Sequence, residues 1–356
     1  MTRQESTIPE VSVVVPTRNR REMLRRTLVT ILGQLEVSIE VIVVDEASDD
    51  GTVEMVRSIG DPRIRVVQHE VARGLPSARN SGIAAARAPW IAFCDDDDMW
   101  APDKLAAQLR SLARCPQAAW SVCGAVWVDT GLRLVRAFHT PPAGDIADAV
   151  LAFNALPGSA SSVMVRSSVL HEVGPFDTSL RWGEDWDMWT RFALTSPIAT
   201  VDRPLVAILV HDRNMSSHSP KFGRDAARIE QKYRAARRAR QVRIDTAHLL
   251  GAQAEADLKA GRRGRAALQY ARQVRHGGGL GAIRRSAAAL LVPTAMVAWR
   301  SRRRRASIPA SWADEVERWL TPLRRSGRCP EEGSRVLGTS QPELGTWGGR
   351  EGSSTP

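Results

Sequence analysis

Four consecutive aspartates, Asp95, Asp96, Asp97 and Asp98, follow the apolar run at residues 90–94. Adjacent carboxylates repel, so something must offset the charge. A divalent cation is one answer, because Mg2+ or Mn2+ prefers carboxylate and phosphate oxygens. On an extended chain alternate residues share a face, which lets Asp95 and Asp97 point together. The plain alternative is a solvated acidic turn. A second acidic turn, residues 45–52, follows the apolar run at 40–44. A carboxylate there can accept hydrogen bonds from a base N–H or a ribose hydroxyl, while Asp49 with Ser48 can equally cap the next helix. A third cluster is Arg181-Trp182-Gly183-Glu184-Asp185-Trp186-Asp187-Met188-Trp189. It reads either as the start of an amphipathic helix capped by Asp185, or as indole faces that stack on sugar rings beside a carboxylate.

These clusters need elements to hold them. Residues 11–15, 40–44, 64–68 and 90–94 are rich in apolar residues and predict four strands, the first two of them buried on both faces. Helices are predicted over 20–32, 53–59 and 76–86. The alternation predicts a parallel sheet with right-handed crossovers. Ligands of such sheets bind at the carboxyl ends of strands, so Asp45 and Asp97 are expected to face one crevice. No Gly-x-Gly-x-x-Gly follows either strand, which argues against a dinucleotide-binding domain. After a helix over 104–112 the pattern becomes mixed. A hairpin is expected from 120–129 and 132–138, then a strand at 161–165, helices at 168–173 and 185–194, and a strand at 205–210.

The chain has 356 residues, 43% apolar and 25% charged, which supports a real core and excludes fibrous or wholly disordered classes. Its charge of +11 is uneven: residues 1–220 hold 22 Lys and Arg against 27 Asp and Glu, residues 221–356 hold 28 against 12. Only four residues are Lys, so this basicity is almost all arginine. Cys94, Cys115, Cys123 and Cys329 lack metal-ligand spacing, and residues 1–10 lack the apolar core of a signal peptide, so a cytoplasmic location is expected. Three segments follow: 1–220, an Arg- and Ala-rich helical extension at 221–325, and a tail at 326–356 whose composition predicts disorder. Residues 286–299 are apolar, too short to span a bilayer, and flanked by arginines. They suit either an ordinary buried helix or the surface of an anionic membrane leaflet.

From residue 11 to about 217 the motifs together resemble the family 2 glycosyltransferases with a GT-A fold. Val11 to Asn19 is similar to that family's opening strand, and Val44 to Thr52 to its nucleotide-binding turn, with Glu46 where Asp is more usual. Gly74 to Gly82 is similar to its Ala-Arg-Asn helix, and Asp95-Asp96-Asp97 to its DXD motif, with Trp100, Pro102 and Leu105 following. Gly174-Pro175-Phe176-Asp177 and Glu184-Asp185 match the acceptor loop and the Glu-Asp motif. His211 resembles the C-terminal histidine that some GT-A enzymes place near metal and diphosphate, although a lone histidine also suits a structural role.

The resemblance implies an α/β GT-A fold, a mostly parallel central sheet flanked by helices, with a C-terminal helical extension. It implies inverting sugar transfer from a nucleotide-diphosphate sugar, UDP by the family's commonest usage, to a hydroxyl of a glycan or lipid-linked acceptor, as in cell envelope polysaccharide biosynthesis. The implied donor site is Pro16, Thr17, Arg18, Asn19, Asp45, Glu46, Arg79, Asp95 and Asp96. Asp97 and His211 would hold Mg2+ or Mn2+, Asp185 with Glu184 would form the catalytic motif, and Trp182 and Trp186 an acceptor platform. Peripheral contact with the inner face of the plasma membrane is compatible with such acceptors. Two other readings stand beside it. One is a nucleic-acid-binding protein using the Arg-rich third; the acidic motifs and the lack of aromatics among the arginines oppose it, and no nucleic acid is expected. The other is an inactive sugar-nucleotide-binding relative, opposed by the presence of Asp45, Asp97 and Asp185.

Overall fold

A computed structural model describes residues 8–158, 160–211, 222–259, 261–277, 282–287 and 308–326. The elements run β1 (Val11–Thr17), α1 (Arg21–Leu32), β2 (Ile39–Glu46), α2 (Thr52–Ser58), β3 (Ile64–His69), α3 (Leu75–Ala85) and β4 (Trp90–Phe93). Then come β5 (Met99–Trp100), α4 (Lys104–Arg114), β6 (Trp120–Val128), β7 (Leu134–Phe138), α5 (Ala147–Ala152), β8 (Val163–Arg166), α6 (Ser167–Val173), α7 (Glu184–Thr195) and β9 (Ile198–Leu209). The nine strands lie in one sheet of order β3-β2-β1-β4-β8-β6-β9-β5, with β7 paired to β6.

The first four strands are parallel, as their alternation with helices requires. The β1 register sets Thr17 beside Asp45 and Val14 beside both Ile42 and Phe93. Thr17, Asp45 and the aspartates after β4 therefore finish along one edge of the sheet. The second half is mixed, with β8 antiparallel to β4 and β6 while β9 runs parallel to β6.

Successive residues of β1 feed opposite layers, as a strand's period of two demands. Val11, Val13 and Val15 pack with Leu24, Leu28 and Ile31 of α1, residues spaced to share one helix face. Val14 packs on the other side, in a core holding Phe93, Trp120, Trp186, Trp189 and Phe192. There α3 comes so close to β1 that a Cβ on Gly82 would fall 2.3 Å from Val14 Cγ1.

The chain continues through α8 (Phe222–Lys232), α9 (Arg234–Ala239), α10 (Thr246–Lys259) and α11 (Arg263–Arg275). Of the region expected as a helical extension, Ile229 and Tyr233 belong to the core that holds Trp186. Helices α10 and α11 form a small core of their own, around Ala254, Ala266, Ala267 and Tyr270. A closing helix, Ala310–Ser326, returns to the main sheet and packs Trp312, Val316 and Leu320 on Met99, Val126, Val128, Ala207 and Leu209. Several arginines of this basic third are spent internally. Arg240 pairs with Asp145 and Asp148, Arg262 with Asp257, and Arg324 with Glu317 and the Leu132 carbonyl. Among the described residues no helix is long and apolar enough to cross a membrane. The apolar segment from residue 288 on, and the tail from 327 on, lie outside the described residues.

Candidate functional site

The acidic run after β4 is held by cations and hydroxyls of the chain itself. Arg20, just beyond β1, uses Nη1 to donate to Asp96 Oδ1 and Asp97 Oδ2, each at 2.8 Å. Thr17 Oγ1 donates to Asp96 Oδ2 at 2.7 Å. Arg79 Nη2 donates to Asp95 Oδ1 at 2.9 Å. Ser161 Oγ accepts from the Asp95 N–H at 2.9 Å and donates to Asp98 Oδ2 at 2.5 Å. Much of the repulsion implied by four adjacent carboxylates is thus offset within the protein. Burial still pushes the Asp96 carboxyl above the usual carboxylate range, while the Arg20 charge pulls it back.

Arg79 is the joint of the site. It projects from α3, is almost fully buried, and its second nitrogen, Nη1, donates to Glu184 Oε1 at 3.0 Å. One guanidinium therefore ties the end of β4 to the start of α7. Gly183 ahead of α7 has φ +73°, a left-handed turn that glycine adopts without cost. Beside Glu184, Asp185 is partly buried. Its Oδ1 accepts from the Trp186 N–H at 2.7 Å and its Oδ2 from Asn154 Nδ2 at 3.2 Å. Burial raises the pKa of both carboxyls, the Asp185 charge raises Glu184 further, and Arg79 opposes the rise in each. A carboxylate so placed is a better proton acceptor than one in water.

At the end of β2, Asp45 is 1% exposed. Its Oδ2 accepts from the Ser48 N–H at 3.0 Å, and its Oδ1, also buried, has no hydrogen-bond partner among the described residues. An acceptor left open in a buried carboxylate is costly unless a ligand donor completes it. Glu46 is used differently. It pairs with His69 Nδ1 and accepts the N–H groups of Arg73 at 2.7 Å and Gly74 at 2.5 Å, so it anchors the loop into α3. His69 Nε2 in turn lies 2.8 Å from Ser81 Oγ.

His211 Nε2 lies 2.9 Å from Asp97 Oδ2, and both side chains are about 7% exposed. An imidazole nitrogen and a carboxylate oxygen at this separation suit two positions of a divalent cation that takes its other ligands from phosphate and water. Among the described residues no cluster of three or more His, Cys, Asp or Glu side chains could complete such a site by itself.

The structure gathers Thr17, Asp45, Arg79, Asp95, Asp96, Asp97, Glu184, Asp185 and His211 at one edge of the sheet. Arg18 is exposed, two residues beyond Pro16. Asn19, at φ 52°, latches the two loops: its N–H donates to Ser48 Oγ, and its Oδ1 accepts from the Asp49 N–H, both at 2.9 Å. Trp186 corrects the expectation of an acceptor platform. It is 1% exposed, donates from Nε1 to the Val150 carbonyl at 2.6 Å, and offers no open face. Trp182 is partly exposed and meets Trp186 edge-on, their ring centroids 6.3 Å apart. Arg20, Asn154 and Ser161 were missed from sequence. Arg20 carried only a positional signal, three residues after Thr17, that it shared with Arg18 and Arg21. Asn154 lies in a stretch with no periodicity to mark it, and Ser161 was legible only as the start of an expected strand.

Residues 12–174 match the model of the family described as glycosyl transferase family 2. The putative teichuronic acid biosynthesis glycosyltransferase TuaG of Bacillus subtilis is 34% identical over 145 residues, 40% of this chain and 57% of that protein. The UDP-Glc:alpha-D-GlcNAc-diphosphoundecaprenol beta-1,3-glucosyltransferase WfaP of Escherichia coli is 31% identical over 100 residues, 28% of this chain and 40% of that protein. The match thus spans less than two thirds of the length of either relative. Among solved structures, S. aureus TarS 1-349 in complex with UDP-GlcNAc aligns with a TM-score of 0.55 at 16% identity, covering 75% of this chain and 81% of that one, a likeness of fold.

Proposed function

The chain belongs to the family 2 glycosyltransferases and has their GT-A fold, and on that premise we propose that it transfers a sugar, with inversion, from a nucleotide-diphosphate sugar to a hydroxyl of a glycan or lipid-linked acceptor. The observation that carries this reading is the Arg79 bridge. It sets Asp95, at the DXD end of β4, and Glu184, next to Asp185, on one guanidinium at 2.9 and 3.0 Å. A donor held by the strand ends is then within reach of a base on α7.

Each residue has a distinct task in this reading. The open Asp45 Oδ1 accepts a hydrogen bond from the nucleoside, with Asn19 and Ser48 holding its loop. A UDP donor accords with the UDP-GlcNAc complex of TarS and the UDP-Glc named for WfaP. The lipid-linked acceptor accords with the diphosphoundecaprenol in the name of WfaP, and envelope polysaccharide synthesis with the name of TuaG. Asp97 and His211 would hold Mg2+ or Mn2+, which when bound neutralises the charge that develops on the leaving diphosphate. Asp185 takes the acceptor hydroxyl's proton. Asn154 fixes the orientation of its carboxylate, and Arg79 keeps the adjacent Glu184 from repelling it unscreened. Of the two indoles, Trp182 is the one that is partly exposed, and in this reading it borders the acceptor. Attachment to a membrane surface through residues 276–305 is part of the proposal, tested by loss of liposome binding on truncation before His276.

The test of catalysis is a panel of sugar nucleotides assayed for metal-dependent transfer or hydrolysis, with Asp185→Asn in parallel. The mutant should lose at least about 10²-fold in kcat while donor affinity barely changes. Loss of donor binding with kcat retained would move Asp185 to the donor site. Asp187, its neighbour, is no substitute base: it is fully buried and paired with Arg191, Lys232 and Tyr233.

A further inference from the structure

Asp97 Oδ2 serves two side chains at once. Arg20 Nη1 donates to it at 2.8 Å, and His211 Nε2 lies 2.9 Å away. The same Nη1 reaches Asp96 Oδ1 at 2.8 Å, so one nitrogen spans two adjacent acids. Asp96 has other support, from Thr17 Oγ1 on its Oδ2 and from Thr27 Oγ1, which donates to its backbone carbonyl at 3.0 Å. Asp97 leans on Arg20 for positive charge. The Arg20 side chain is 19% exposed, against 6% and 7% for those of Asp96 and Asp97.

A cation taking Asp97 Oδ2 and His211 Nε2 would bring a second positive centre against this guanidinium, and like charges so close repel strongly in a partly buried site. A planar guanidinium also matches phosphate oxygens better than any other side chain does. We propose that Arg20 is the exchangeable counter-ion of Asp97. It neutralises the carboxylate while no metal is bound, yields that oxygen to the arriving divalent cation, and turns to the donor's diphosphate. This rests on the reading that Asp97 and His211 hold the metal.

Two consequences follow from the exchange. A cation arriving alone must displace Arg20 from Asp97 with no diphosphate to receive the guanidinium, so it binds weakly. A cation arriving with a nucleoside diphosphate gives Arg20 a place to go, so each strengthens the other's binding by the same factor. Arg20 thereby discourages metal from settling in the site without a donor.

The experiment measures Mn2+ binding to the full chain by the electron paramagnetic resonance of free Mn2+, with and without saturating UDP. Arg20→Met keeps the length of the stem and removes the charge. It should bind Mn2+ alone about tenfold tighter than the wild type, and the gain from adding UDP should shrink by about tenfold. Arg20→Lys keeps a charge but not the planar fork. It should bind Mn2+ alone much as the wild type does, yet show a smaller gain from UDP. Asp97→Asn should abolish Mn2+ binding in either background. If Asp97→Asn abolishes binding but Arg20→Met binds Mn2+ alone no tighter than the wild type, the exchange is wrong and the metal reading stands. If Asp97→Asn leaves Mn2+ binding intact, the metal reading fails and the exchange falls with it. Should Arg20→Met not fold, Arg20→Lys decides: an unchanged gain from UDP overturns the proposal.

Discussion

Lys104 is an ammonium group sealed under the acidic edge. It has no exposed surface, its Nζ stands 3.8 Å from the centre of the Trp100 ring, and that nitrogen has no hydrogen-bond partner among the described residues. Burial lowers its pKa from 10.5 to about 8. Between those two values the unfolded chain binds the proton that the folded chain has released, so stability rises with pH across that window. Below about pH 8 both states are charged and the cost is felt in full. Lys104→Met keeps the apolar stem and deletes the charge. It should stabilise the protein by about 2–3 kcal/mol at neutral pH and flatten the rise seen in the wild type. Urea titrations of both proteins at pH 7 and pH 10 check this; a mutant with the wild-type pH dependence would show that another group is responsible. The same contrast between type and setting separates Trp186 from Trp182. Both are sugar-stacking residues by composition, but their burial, which depends on chain far away, leaves Trp182 partly exposed and Trp186 sealed.

Elements were more legible than side chains. The four parallel strands and their helices could be read because each is a run of β-branched or periodic apolar residues bounded by turn residues, and the carboxyl-end rule then brought Asp45 and the aspartates into one place. The two-residue β5 was not readable. Its pairing of Met99 with Ala207 and Trp100 with Val206 comes wholly from β9, whose own first half alternates polar residues such as Thr200 and Asp202. The joint made by Arg79 was not readable as such, because it depends on how closely α3 sits on the sheet, and Gly82 sets that distance. Gly82→Ala would drive Cβ into Val14 and push α3 outward. A loss of about 1–3 kcal/mol in stability is expected, as for other overpacked cores. Any outward shift also lengthens the reach of Arg79 to Asp95 and Glu184, so transfer should fall by more than donor affinity does. Chemical denaturation and steady-state kinetics on one preparation test both. A mutant as stable as the wild type would mean that the helix and strand can separate without strain.

At the scale of the whole molecule, the closing helix Ala310–Ser326 binds the mixed half of the sheet together. Trp312 lies so close to Gly124 of β6 that a Cβ there would fall 2.4 Å from its ring. Arg203 joins the layers by pairing with Asp103 at 2.7 Å and with Glu315 at 2.6 Å. Burial of Trp312, Val316 and Leu320 contributes on the order of 5 kcal/mol. A chain ending at residue 307 should therefore unfold at markedly lower urea concentration and bind a hydrophobic dye while still folded; an unchanged midpoint would show the helix to be an ornament of the sheet. The order of the chain gives this arrangement a temporal side. Met99, Val126 and Val128 leave the ribosome well before Leu209, and Leu209 about 100 residues ahead of the helix that covers them all, which at ~5–20 residues per second leaves the completed apolar strip uncovered for about 5–20 s in every round of synthesis. During that interval the strip is a surface for chaperones, or for the same strip on a neighbouring nascent chain, so conditions that slow translation of the arginine-rich stretch should lower the yield of native protein before any effect on the finished fold is seen.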